Sequence, residues 1–481
     1  MRTLITTSAA VTAVFFAQLW TPANVAHSED LMQVYSQALR NDPGIREAEA
    51  NMMATLERKP QAIANLLPQL DGSADWRTSE TESLSGDLGS ISTGGSTRTK
   101  TKSDDWSWGL DLRQSIFDWS KWVQLKKSDK EVAQAQSDFE SARQDLIVRV
   151  AEAYFNVLAA QDTLVAVQDA KEAFKRQLEQ SERRFEVGLI AITDVKESQA
   201  AYDDATATEI NSKRSLANSK EALREITGNY PDNLAEPGYE FPLLPPNPEV
   251  EQDWVDVAMQ QNFTLESAKL GAEITRQNVR SARSGHLPTL DLTGSIGHSE
   301  SDGVQTDLDD FGVRLNDRET DTKYRIGVNL TIPIYAGGSV SSRVQENVYL
   351  HRASRENYER VARQTERETR DAYFGVISEI ARVRALLRSV ESNQTALEAT
   401  VAGYDVGTRT TVDVLDAQRK LSEAQTNYAR SKYDYLFNVL KLKEGAGSLA
   451  ANDVEELNVL FTERGESQAS EEITEPLAAI Q

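Results

Sequence analysis

Two hydrophobic periods take turns along this chain. In four stretches apolar and small residues recur at every second position: Leu70, Gly72, Ala74 and Trp76; Trp106, Trp108, Leu110 and Leu112; Leu290, Leu292, Gly294 and Ile296; Tyr324, Ile326, Val328, Leu330 and Ile332. Period two places such a set on one face of a β-strand. Elsewhere the steps are three and four. Tyr373, Val376, Ile380, Val383, Leu387 and Val390 form one such series; Ile147, Val150, Tyr154, Val157, Leu164, Val167 and Phe174 stay on a second. That is the seam of a left-handed coiled coil, and these residues are expected to be core.

The breakers set the lengths. No proline falls between Pro68 and Pro231 or between Pro333 and Pro476, and between Trp119 and Gly228 the one glycine is Gly188. Two helices meeting at Gly188 follow. Ser120 to Glu186 is 67 residues, or about 100 Å of helix at ~1.5 Å per residue, suited to a coiled coil or tunnel wall. The strands read as roughly 10–12 residues each, the length a tilted membrane-crossing strand needs. Between them lie two expected loops, Ser79 to Ser103, rich in Ser, Gly and Thr, and the acidic Ser299 to Thr322. A soluble sandwich also alternates, but long helices feeding each hairpin argue against it.

The pattern is used twice. Leu67-Pro68-Gln69-Leu70-Asp71 resembles Leu287-Pro288-Thr289-Leu290-Asp291, and Ala153-Tyr154-Phe155 resembles Ala372-Tyr373-Phe374, at offsets of about 219 residues. Each unit reads as helix, β-hairpin, long helix, turn, long helix. The first spans residues 28–228, with its hairpin at about 69–117 and its tip near Gly188. The second spans 249–447, with its hairpin at about 289–334 and its tip near Gly407. The linker 229–248 carries six of the thirteen prolines and cannot be one helix. Residues 448–462 are expected to hold a short helix, and 463–481 an acidic disordered tail.

Composition narrows the setting. Apolar residues make up 39%, below the usual ~45–50%, so much of the surface is wetted. The net charge of -23 makes nucleic acid an unsuitable partner. With no cysteine there is no disulfide, thiolate metal site or acylated N-terminal cysteine, so a lipoprotein is excluded. Arg2, the apolar run Ala9 to Leu19 and the small residues Ala23, Ala26 and Ser28 read as a signal peptide over 1–27. No later run reaches 18 apolar residues, so membrane crossing requires a barrel. The four histidines show no metal-ligand spacing, and no nucleophile or phosphate-loop motif occurs. Neither an enzyme nor a cofactor is expected.

Four strands cannot close a barrel, and an open edge in lipid strands backbone groups. Several chains must close it together. Three would give twelve strands, more than the ~8 that side chains can fill, and hence a wet lumen.

The tips carry the candidate chemistry. Tyr404 to Ala417 reads Y-D-V-G-T-R-T-T-V-D-V-L-D-A, with Asp413 and Asp416 on one helix face. In a symmetric assembly each becomes a ring of carboxylates that concentrates cations. Equally, Asp413 in a first helical turn favours the dipole and needs no further purpose.

These residues resemble the TolC family of outer-membrane efflux and secretion channels. The likeness rests on Gln114-Ser115-Ile116-Phe117-Asp118, Arg184-Phe185-Glu186-Val187-Gly188-Leu189, Gly285 through Leu292, and Gly403 through Ala417, and runs from Asp30 to about Leu460. It implies a homotrimer that is α-helical plus a membrane β-barrel: twelve strands in the outer membrane of a Gram-negative cell, and a periplasmic helical tunnel. The implied function is an exit duct for tripartite multidrug efflux and type I secretion. The implied partners are a periplasmic adaptor, an inner-membrane pump of RND, ABC or MFS type, and outer-membrane lipid. A trimeric coiled-coil adhesin anchored by a barrel is the alternative.

By the same resemblance Asp413 and Asp416 line a periplasmic constriction open to block by polyvalent cations. Asp194 bonds to Tyr404 and Arg409 across neighbouring coils as a closed-state latch. The adaptor docks at the tips around Gly188 and Gly407, glycines that otherwise serve only the turns. Gln177 matches a latch glutamine, but Val401 stands where its glutamate partner is expected.

Overall fold

The structure, a computed structural model, describes residues 28–86, 96–231, 233–236, 242–307 and 314–458. The signal peptide expected over 1–27 and the tail over 463–481 lie outside the described residues. In the first unit α1 (Leu31–Asn41), α2 (Pro43–Leu56) and α3 (Arg58–Ala64) precede β1 (Gln69–Gly86), β2 (Ser96–Phe117), α4 (Trp119–Glu186) and α5 (Ile192–Thr227). In the second, α6 (Glu251–Gln261) and α7 (Phe263–Ser284) precede β3 (Thr289–Asp307), β4 (Arg314–Thr331), α8 (Ser339–Asp405) and α9 (Thr411–Gly445). A last helix, α10, covers 451–458.

The entry to each hairpin differs from the single helix expected. Asp42 ends α1 and caps α2, accepting from Ile45 N at 3.1 Å, with Pro43 pre-set for the first turn. Asn262 does the same between α6 and α7, accepting from Leu265 N at 3.0 Å. The break recurs because the same kind of side chain satisfies the same free amides.

The strands form one antiparallel sheet in the order β1-β2-β3-β4, with β1 and β4 at its edges. Apolar residues stack in rungs. Leu112 sits opposite Leu70 and Gly294, Trp108 opposite Ala74 and His298, and Ile296 opposite Tyr324. The alternate rungs are polar: Asp111 faces Asp71 and Ser295, and Ser295 faces Arg325. On β4 the apolar set stands bare, with Ile326 88% exposed. Aromatic residues flank this band, Trp76, Trp106 and Tyr324 on one side and Phe117, Trp119, Trp122 and Tyr335 on the other.

The strands are longer than the alternation predicts, at 18, 22, 19 and 18 residues. Most of the two expected loops is therefore strand. A backbone ladder needs pairing, not grease. Past Trp106 it continues through threonine-rich sequence and cross-strand ion pairs, Lys100 with Glu80, Arg98 with Glu82 at 3.6 Å, and Arg318 with Glu300.

α4 runs 68 residues and α8 runs 67. No helix among the described residues is long and apolar enough to cross a membrane. The core is concentrated in a belt partway along these helices, where α1, α4, α9 and the proline-rich linker meet around Leu31, Tyr154, Leu158, Tyr433, Leu436 and Leu440. Tyr154 and Tyr373 do matching work there. Tyr154 donates to Ala235 O at 2.6 Å, and Tyr373 donates to Glu249 O, so one long helix is pinned to the linker and the other to the residue that follows it. The α8 seam is buried from Tyr373 to Val383, but Leu387 is exposed. Of the other long helices α8 packs along α9 alone, and a two-helix seam covers fewer positions than the heptad count assumes.

Candidate functional site at the helical tips

Both helical hairpins turn by the same device. Gly188 and Gly407 take φ of +77° and +79°, a conformation that costs a side chain dearly. Leu189 N then donates to Arg184 O and Thr408 N to Gly403 O, each at 2.8 Å, which satisfies carbonyls that the ended helices leave free. The turns push Val187, Leu189 and Val406 into solvent at 70, 73 and 75% exposure.

The helices that leave the turns start alike. On α9, Asp413 Oδ2 accepts from Thr410 N at 2.8 Å and from Thr410 Oγ1 at 2.9 Å, while Thr410 Oγ1 accepts from Asp413 N at 3.3 Å. This is a complete capping box. The Thr410 hydrogen bonds hold the Asp413 carboxyl below its ordinary range, with Arg409, 4.0 Å away, adding to the effect. On α5, Asp194 Oδ2 accepts from Ala191 N at 3.2 Å. Alanine offers no acceptor in return, so that cap is half made. Asp194 and Asp413 therefore hold equivalent places in the two units. Asp416, one turn further along α9, accepts from Arg419 at 2.7 Å.

Tyr404 is 6% exposed, and its hydroxyl accepts from Thr411 Oγ1 at 3.4 Å. Within the chain, then, Asp194, Tyr404 and Arg409 each have a local partner and do not bond to one another. Gln177, on α4, has its Nε2 buried without a hydrogen-bond partner, and Val401 is half-exposed.

Arg184 and Asp405 were missed in the sequence. Arg184 Nη2 donates to Asp405 Oδ1 at 2.8 Å, and its guanidinium lies 4.5 Å from the centre of the Tyr404 ring. The available signal was an acid one helical turn beyond the acid-less Val401.

Histidine plays no part at the tips. His298 lies beside Trp106 and Trp108 in the sheet, and His351 Nδ1 lies 3.1 Å from Thr275 Oγ1. Among the described residues no three acidic or histidine side chains gather as a metal site.

The arrangement has relatives. A family profile described as "Outer membrane efflux protein" matches residues 34–229 and 254–448. The chain is 36% identical over 444 residues to outer membrane protein TolC of Vibrio cholerae, covering 92% of this chain and 96% of that one. It is 29% identical over 428 residues to the alkaline protease secretion protein AprF of Pseudomonas aeruginosa, covering 88% and 86%. In fold it is similar to the CmeC outer membrane channel of Campylobacter jejuni, with a TM-score of 0.70, 21% identity and 90% of each chain covered.

Proposed function

The chain belongs to the outer membrane efflux protein family, and on that premise we propose that three copies close their sheets into a twelve-stranded barrel continued by a helical tunnel. It is an outer-membrane exit duct for efflux and type I secretion. The observation that carries this reading is the sheet itself. It is apolar on one face and polar on the other, is open at β1 and β4, and is joined to helices of about 100 Å. Lipid does not tolerate the open edges, so neighbouring chains must pair with them. The polar rungs then line a wet lumen.

The duct has no reaction of its own. An inner-membrane pump of RND, ABC or MFS type supplies the energy, and a periplasmic adaptor docks on the apolar tips at Val187, Leu189 and Val406, set by Gly188 and Gly407. Asp413 and Asp416 ring the constriction. Asp194, Tyr404 and Arg409 latch neighbouring coils shut, and Gln177, lacking its acid, contributes little. Charge-assisted bonds of ~1.5–3 kcal/mol each, repeated around the ring, suffice to hold otherwise free helix pairs closed.

Purified protein in a planar bilayer should form discrete conducting units, and chemical cross-linking should stop at three chains. Folded assemblies that never conduct, even with the latch residues replaced, would overturn the duct. Deleting the gene and comparing drug sensitivity with the secreted proteins identifies the cargo.

A further inference from the structure

One ion pair at the tips crosses between the two units. Arg184 near the end of α4 holds Asp405 at the end of α8, 2.8 Å apart, and lies over the face of Tyr404. The helix bodies do not bring this about. α4 packs along α5, α7 and α9 but not extensively along α8, so the contact is made by the long Arg184 side chain rather than by helix packing. Other cross-unit pairs among the described residues lie elsewhere, such as Lys432 with Asp162 at the belt and Lys130 with Glu273.

We propose that Arg184 and Asp405 form a tie of the gate within one chain, holding the first-unit coil to the second at its far end, and that the coils part only when this tie breaks. The inference rests on the gate reading above.

Three features support it. The first is chemical: a planar guanidinium can stack on a ring and bond a carboxylate at once, which an ammonium cannot. Tyr404 in turn meets Thr411, so Arg184 touches the end of α8 directly and the start of α9 through the ring. The second is an absence nearby. Gln177, two turns up α4, has a buried Nε2 without a partner, so hydrogen bonding between the coils is not supplied there. The third is leverage. Arg184 lies 30 residues beyond the belt anchor Tyr154, or about 45 Å of helix. A bond at that distance resists swinging about the belt far better than one beside it.

The test is single-channel conductance of the full assembled protein. Arg184→Glu and Asp405→Arg should each raise the open-state current or its occupancy by about threefold or more, in line with losing a charge-assisted bond in every copy. The double exchange should return it toward the parent value. Asp405→Asn, nearly isosteric, should give a smaller rise, and Arg184→Lys should keep the charge but lose the stacking, falling between. Oligomer melting temperature should change little, since the pair lies at the helix ends with Asp405 exposed and Arg184 only partly covered. Asp194→Ala and Arg409→Ala serve as gate controls. If these open the channel and none of the Arg184 or Asp405 variants does, the tie is overturned and the gate reading stands. If the controls also leave conductance unchanged, both fall. A double exchange as open as the single variants overturns the pairing.

Discussion

Thr410 and Asp413 cap each other, with hydrogen bonds of 2.8 and 2.9 Å in one direction and 3.3 Å in the other. The Thr410 bonds favour the charged carboxylate and lower its pKa from 3.8. A depressed carboxyl contributes stability that is present above its ordinary pKa and lost as pH falls through the folded value. The first turn of α9 should therefore keep its amide-exchange protection at pH 6 and begin to lose it only as pH falls below 3.8, toward the lower folded value. Exchange at Val412 to Leu415, corrected for intrinsic rate, checks this. Asp413→Asn should show the weakened protection already at pH 6.

The same acid is assigned to the constriction. Replacing Asp413 and Asp416 with alanine should weaken block by a trivalent cation added from the periplasmic side by about tenfold or more, because both proposed carboxylate rings vanish. Titration of single channels with the cation measures it. Block that persists unchanged would place the binding carboxylates elsewhere. The Asp416 variant also frees Arg419, whose charge then stands unpaired close by.

The proposed latch between neighbouring coils makes a separate demand. Asp194→Asn or Arg409→Ala should increase conductance, with Arg409→Ala the larger, since it removes the cation altogether. Unchanged conductance in both would refute the latch. Asp194→Asn should cost the fold little, for asparagine can still accept from Ala191 N.

The belt predicts stability effects rather than gating ones. Tyr154→Phe removes the hydroxyl that donates to Ala235 O and should cost about 1 kcal/mol plus part of the desolvation of that carbonyl. Tyr154→Ala opens a cavity in a fully buried position and should cost about 3–5 kcal/mol. Denaturant titration of each assembled variant gives both numbers, and open-channel conductance should be unaltered in the phenylalanine variant.

What the residue pattern disclosed depended on how local the cause was. The long helices were legible because their breakers are local: the absence of proline throughout, and in the first unit a glycine only at the turn. The sheet's apolar band was legible at Leu110, Ile296 and Tyr324 because lipid-facing residues must alternate. Its upper half was not, because Lys100 with Glu80 and Arg318 with Glu300 hold the ladder by charges that read as loop. Leu387 looked like seam because the heptad does not record how many neighbours a helix has. Arg184 and Asp405 were illegible for a related reason. They lie 221 residues apart, on two helices, α4 and α8, that do not pack along each other, and only the folded arrangement of the two coils makes them partners.

The two unpaired strands at the sheet's margins also carry a genetic consequence. A chain that cannot complete its own wall shares that wall with whatever copies are made beside it. In the proposed trimer a chain with a broken gate would leak in mixed company, and its allele would behave as dominant over an intact one.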